Sequence, residues 1–347
     1  MVDYSLHLIN VNDNIIEAFK KLNCVPINLT LFVLNDNNKL VGTLTDGDIR
    51  RGFLRGNTLN DSIEKFMTTN FISLSAINPN PTEIKRIKKN DIKLLPLVDQ
   101  NGRIEKVIDF TLVANMLPVD AVVMAGGRGE RLRPLTDKTP KPLLNLGNKP
   151  IIDYNIELIQ KNGISNIFIS VNYCADQIID HFENNKFKNI NINYVKEDVP
   201  MGTIGSLKLI QSFKHDSILL MNADLFTSIN LEEFYLHFQN SDSLLSIATI
   251  PYNVSVPYAV LEVENDLITS FLEKPNYTYH ANAGIYIFKK ELIELIPDNS
   301  FFNATDLMNK VIELKGKITY FPIIGYWIDI GKPEDYKKAL EFAKHLI

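Results

Sequence analysis

The chain has little cysteine, no surplus of positive charge and no long apolar run. Two cysteines, Cys24 and Cys174, stand among 347 residues. That is too few for a disulfide framework, and a reducing cytoplasm is the expected compartment. A net charge of −5 sets aside a general nucleic-acid binder, which carries a basic excess. No apolar stretch approaches the roughly 18 residues of a membrane span, so no membrane partner is expected. Residues 1–10 lack a basic region followed by an apolar core, and no signal peptide is expected. Six histidines are present, none within a catalytic motif. Hexapeptide repeats are missing, so no fused β-helix is expected. What remains is ordinary globular composition, 45% hydrophobic and 22% charged, in a chain long enough for two domains with separate cores.

The first 118 residues contain a duplication. "LFVLNDNNKLVGTLTDGDIRRGF" reads as strand, Asn/Asp turn, strand and the start of a helix. Roughly 60 residues on, "LPLVDQNGRIEKVIDF" repeats strand, turn and strand, too few copies for a solenoid. A short strand and an amphipathic helix precede each. This unit resembles the paired cystathionine-β-synthase (CBS) domain, an α+β fold. The resemblance implies an adenine nucleotide between the copies, with Thr45 and Asp48 near its phosphate and ribose. Asp46 and Asp48 serve equally well as helix N-caps. The second copy departs from the pattern at "EKVIDF", which puts one of the two ligand sites in question.

From residue 119 the pattern changes. "AVVM" is a buried strand running into glycines, and after it apolar strands alternate with helices: strand near 167–171, helix over 175–185, strands near 191–195 and 218–221, and a helix over 203–213. That alternation predicts an α/β unit with a mostly parallel sheet covered on both faces. After Ser243 short connections predict antiparallel additions, including strands near 258–264 and 267–273.

"AGGRGERLRPLTDKTPKP" carries the chemistry. A strand, a glycine loop and then a helix make a phosphate-binding arrangement. The Rossmann fingerprint fails, because Leu132 stands where a third glycine is required. The P-loop fails too, because Glu130 and Arg131 follow Gly129. Residues 128–141 hold five cations and two anions in an otherwise negative chain. Backbone N–H groups of Gly126, Gly127 and Gly129 can cradle phosphate oxygens. Arg131 offers a planar fork, and Lys141, between two prolines, a point charge with little backbone freedom.

This segment resembles the sugar-1-phosphate nucleotidyltransferases, whose pattern is G-G-x-G-x-R-L-x-P-L-T-x-x-x-P-K-P. Glu130 departs from it, standing where Thr or Ser is usual. The resemblance covers roughly residues 120–347 and implies a Rossmann-like, mixed, mostly parallel sheet of the GT-A-like kind, as a domain over 119–347 that follows a regulatory CBS pair over 1–118. It implies nucleotide contacts from Ala125, Gly126, Gly127, Gly129, Asn172, Glu197, Gly202 and Thr203. Sugar-phosphate contacts fall to Glu273, Lys274, Asn282 and Gly284. Ala259 departs from the family's glycine and would reshape the sugar pocket. By their neighbours alone, Asp224 and Asp329 are turn residues or metal ligands; the resemblance makes them Mg²⁺ ligands, with Arg131 and Lys141 completing the catalytic set. The implied reaction joins a nucleoside triphosphate to a hexose or hexosamine 1-phosphate and releases pyrophosphate. GTP with glucosamine 1-phosphate or mannose 1-phosphate is the leading expectation, for surface glycan or nonulosonic acid biosynthesis. UTP, dTTP and CTP remain alternatives, as does a non-catalytic nucleotide-binding regulator. A homo-oligomer is expected from the CBS pair.

Overall fold

The structure, a computed structural model, describes residues 4–25, 28–77, 79–90, 92–183, 187 and 190–345. The chain forms two compact units, Met1–Leu117 with Lys161–Gly163, and Pro118–Gln160 with Ile164–Ile347.

In the first unit, β1 (Leu8–Asn10), α1 (Ile15–Cys24), β2 (Thr30–Leu34), β3 (Leu40–Thr45) and α2 (Asp46–Leu54) form one copy. β1 runs parallel to β2, and β3 antiparallel to it. Asn14 caps α1 by accepting from Glu17 N, and Ile15, Ala18 and Leu22 place one apolar face in the core. The second copy repeats the topology: β4 (Leu74–Ser75), α3 (Pro81–Lys88), β5 (Leu94–Val98) and β6 (Ile104–Asp109). Its ending differs. In the first copy Thr45 and Asp48 form a reciprocal capping box that launches α2. In the second, Asp109 accepts from Thr111 N and Oγ1, and the chain turns without a helix. The irregularity at "EKVIDF" thus corresponds to a missing closing helix.

The second unit opens with β7 (Val119–Met124), a short hairpin of β8 (Asn145–Leu146) and β9 (Lys149–Pro150), α4 (Ile151–Lys161), β10 (Asn166–Val171), α5 (Ala175–Glu183) and β11 (Asn191–Lys196). Residues 184–185 of the predicted helix lie outside the described residues. There follow β12 (Ser217–Asn222), β13 (Leu225–Thr227), α6 (Leu231–Ser241), β14 (Leu245–Ser255), β15 (Val260–Glu264), β16 (Leu267–Leu272) and β17 (Asn276–Lys289). The unit ends with α7 (Ala304–Glu313), β18 (Ile318–Pro322), β19 (Trp327–Asp329) and α8 (Pro333–Lys344). A seven-stranded sheet has the order β11-β10-β7-β12-β17-β14-β18. Its first four strands are mutually parallel, β17 runs against both neighbours, and β18 is parallel to β14. The architecture is the mixed, mostly parallel α/β sheet expected. The carboxyl ends of β7, β10 and β12 share one edge, where open parallel sheets bind ligands.

Two expectations are corrected. The helix predicted over 203–213 is only a 3₁₀ turn, Gly205–Leu209. A Cβ on Gly205 would lie 2.6 Å from Ser300 O, so this backbone is held by packing against a neighbouring loop, and local periodicity does not decide it. The strands near 258–264 and 267–273 do not join the sheet. As β15 and β16 they pair only with each other, and their residues are largely exposed.

Candidate active site

The site begins where β7 runs out. Ala125 is buried and hands the chain to an irregular loop. Gly129 has φ +63°, and a Cβ there would lie 3.0 Å from Thr136 Cγ2, so only glycine makes this turn without strain. The loop is tied down from outside. Thr136 Oγ1 donates to Gly129 O at 2.8 Å. Tyr173, at the end of β10, donates its hydroxyl to Thr136 O and Asp137 O at 3.2 and 3.1 Å. Where a helix is expected after the glycine loop there is only a 3₁₀ turn, Glu130–Leu132; Leu132 is buried and anchors this turn, which carries Arg131.

Lys141 is 8% exposed, rare for a lysine unless it is paired. Its ammonium donates to Asp224 Oδ2 and stands 3.9 Å from Asp329 Oδ1. Both aspartates therefore face one cation. Backbone pairing enforces this: β13 and β19 are antiparallel with Leu225 opposite Asp329, and Ile330 N donates to Asp224 O at 3.1 Å. Burial, then the nearby charge of Asp224, holds the Asp329 carboxyl above its ordinary range, against the opposing pull of Lys141 and Arg131. Arg131 reaches the same corner, since a Cβ added at Gly331 would lie 3.3 Å from its terminal nitrogen.

Asp224 is held through its neighbour. Ala223 N donates to Met124 O at 3.0 Å, and the buried Asn155 side chain on α4 donates to Ala223 O at 3.1 Å. The other carboxylate oxygen, Asp224 Oδ1, is buried without a hydrogen-bond partner. An orphaned anionic oxygen beside a second carboxylate of raised pKa is a donor set that fits a hard divalent ion, which takes one or two carboxylates and keeps waters and phosphates for the rest. Among the described residues no group of three or more His, Cys, Asp or Glu converges, so these two carboxylates are the fit.

The cleft has a cavity of about 290 Å³ lined by Ala125, Gly126, Gly127, Lys141, Asn172, Glu197, Gly202, Thr203, Asn222, Asp224 and Phe301, among others. An adjoining lobe is lined by Gly127, Gly129, Glu130, Arg131, Lys141, Asp224 and Gly331. The predicted nucleotide and catalytic residues thus converge, with Asp329 at the same corner. Glu197 has a structural task as well: its carboxylate accepts from Ser170 Oγ and Met201 N, while Asn172 Nδ2 donates to its carbonyl.

The sugar-side residues are placed differently. Gly284 approaches Asn222, where an added Cβ would lie 2.8 Å from Nδ2. Asn282 accepts from Gly284 N and donates to Tyr286 Oη. Glu273 and Lys274 are exposed, just past β16, and the structure does not bring them into the cleft lining. In the first unit, burial alone would raise the pKa of Asp48, but hydrogen bonds from Thr45, Arg51 and Thr68 outweigh it and hold the carboxyl low. The N-cap of α2 is Thr45; Asp48 is its N3 partner in the capping box and Asp46 is the first helical residue, so neither aspartate is the N-cap expected from the sequence.

Asn155 and Phe301 escaped the sequence reading. Asn155 had a signal: it occupies a core position among Ile152, Ile156 and Ile159, where a polar side chain needs a partner. Phe301 had none, because nothing local places it at the cleft.

A family model described as nucleotidyl transferase matches residues 120–345, and one described as CBS domain matches residues 3–55. The D-glycero-α-D-manno-heptose 1-phosphate guanylyltransferase of Aneurinibacillus thermoaerophilus is 29% identical over 66% of this chain and 100% of its own. The mannose-1-phosphate guanyltransferase of Debaryomyces hansenii is 31% identical over 62% of each chain. This chain therefore spans 62% of the length of that relative. The crystal structure of HddC from Yersinia pseudotuberculosis complexed with GMP-PN matches at TM-score 0.50 and 30% identity, covering 65% of this chain and 99% of that one. Among the described residues no helix is long and apolar enough to cross a membrane.

Proposed function

The chain belongs to the nucleotidyl transferase family, and from that membership we propose that it transfers a nucleotidyl group from a nucleoside triphosphate, GTP foremost, to a hexose or hexosamine 1-phosphate. The products are a nucleotide-sugar and pyrophosphate. The observation that carries this reading is the convergence of Arg131, Lys141, Asp224 and Asp329 on one corner of a glycine-walled cleft. Guanine is favoured over the other bases because both named relatives are guanylyltransferases and the structural neighbour was solved with GMP-PN. The chemistry suits biosynthesis of a glycosylated surface polymer or a nonulosonic acid.

The obstacle is charge. Two phosphate esters at about 3.5 Å repel by about 5 kcal/mol per pair of unit charges at an effective dielectric of about 20. Catalysis is then mainly neutralisation and positioning. The glycine-loop N–H groups orient the triphosphate. Lys141, fixed by burial, steadies the α-phosphoryl group, and Arg131 takes the charge that develops on departing pyrophosphate. The sugar phosphate is already ionised near neutral pH, so no general base is required. Asp224 and Asp329 would hold Mg²⁺, which when bound supplies charge neutralisation between the two phosphates. Lys274 aims the attacking phosphate only if the exposed β15–β16 hairpin moves toward the cleft.

Pyrophosphate release, measured over four triphosphates crossed with several sugar 1-phosphates, tests the proposal. Release should require both substrates and a divalent ion, and be fastest with GTP. Triphosphate binding without release in any combination would favour a non-catalytic regulator. For the N-terminal unit we propose adenine-nucleotide sensing; the duplicated CBS-like fold supports it.

A further inference from the structure

We infer that Phe301 is the platform on which the nucleobase stacks, an assignment that rests on the nucleotide-binding reading of the cleft. Phe301 is the single aromatic side chain lining the cleft among the described residues. It is 64% exposed, in the segment that leads into α7. The cleft is chemically divided. Its lining includes the ion-paired Lys141 and Asp224 and, separately, Pro200, Met201 and Phe301, whose segments are joined by the Phe302 N to Met201 O hydrogen bond. A nucleoside triphosphate has the same division, a polyanion at one end and a flat, weakly solvated ring at the other.

An aromatic platform works only if the backbone holds it still. Here two segments are stitched together. Phe302 N donates to Met201 O at 3.0 Å, and Ile204 N donates to Phe302 O at 3.1 Å. Thr203 N donates to Asn303 Oδ1 at 3.2 Å, and Ala304 N donates to Thr203 Oγ1 at 2.8 Å. Thr203 thus serves the first turn of α7, whose N-cap is Asn303, and caps no helix of its own. Gly202 closes the contact: φ is +77°, and a Cβ would lie 2.6 Å from Phe302 O. The stitch fixes the Phe302–Ala304 backbone against residues 201–204 and so sets the position of the adjoining Phe301 backbone before any ligand arrives, which lowers the ordering cost of binding. Stacking on an aromatic face tolerates every base. Phe301 should therefore add affinity without choosing guanine, and the choice of base belongs to other groups.

The test is equilibrium binding of GTP, UTP and inorganic tripolyphosphate to the full chain, alongside pyrophosphate release. Phe301→Ala should weaken GTP and UTP alike, by about 5- to 150-fold, and leave tripolyphosphate within about twofold. Phe301→Tyr should bind as the wild type does. The inference is overturned if Phe301→Ala binds GTP normally, or loses GTP and tripolyphosphate equally, which would mark a general structural defect. A wild-type chain that binds GTP but releases no pyrophosphate removes the transfer reading, while the platform is still judged by the Phe301→Ala binding. A wild-type chain that binds no triphosphate overturns both.

Discussion

Lys141 faces two carboxylates with one buried ammonium, an arrangement that costs desolvation and makes each partner depend on the others. Asp224→Asn keeps the side chain's shape and an acceptor for the Lys141 ammonium, and Arg131 is exposed and outside that pair, so these two substitutions should harm chemistry more than fold. Asp224→Asn and Arg131→Ala are each expected to lower turnover at least about 10²-fold, the scale of losing one preorganised charge-stabilising group, with unchanged circular dichroism. Near wild-type rates in both variants would contradict their roles. Asp48 gives a residue-scale prediction about stability. Its folded pKa is depressed, so the unfolded chain takes up the proton first. The stabilisation is complete above about pH 4, the ordinary carboxylate value, and is lost as pH falls through the lower folded value. Asp48→Asn should accordingly melt earlier than the wild type at pH 7, and the gap should close on acidification below about pH 4. A gap independent of pH would show that the carboxylate's charge is not what stabilises α2.

Elements place these residues, and here the sequence was only partly legible. Alternating apolar strands and helices announced the sheet, and the glycine–arginine–lysine motif announced its edge, because both are local patterns. The 203–213 segment misled. Its helical periodicity is real, but packing of Gly205 against Ser300 O overrides it and leaves a 3₁₀ turn. The roles of Asn155 and Phe301 depend on contacts about 68 and 100 residues away in the chain, beyond any periodicity. α4 is a positioning element through Asn155. Asn155→Ala would leave the buried Ala223 carbonyl unpaired, worth about 1–3 kcal/mol of stability, and would free Asp224. It should lower kcat about tenfold or more with little change in KM for GTP, and raise the divalent ion concentration needed for half-maximal rate. Asn155→Ser, which retains a donor, should recover part of the loss. An unchanged kcat in a folded Asn155→Ala protein would remove the positioning role.

At the scale of the whole molecule the chain carries two compact units, one matching the CBS domain and one the nucleotidyl transferase family. Their functions should separate accordingly. A chain beginning at residue 118 is expected to keep basal pyrophosphate release and lose any response to adenine nucleotides. An identical response in both chains would reject the sensor proposal. The pairing of β13 with β19 matters most at this scale, because it joins residues about a hundred positions apart into one corner. We propose that this corner holds a single divalent ion between Asp224 and Asp329 when substrate phosphates arrive. Electron paramagnetic resonance of Mn²⁺, titrated into the full chain with GTP present, reads that claim directly. One tightly held Mn²⁺ per chain, weakened by Asp224→Asn and by Asp329→Asn alike, is the predicted result; Mn²⁺ binding that survives both substitutions unchanged would contradict it.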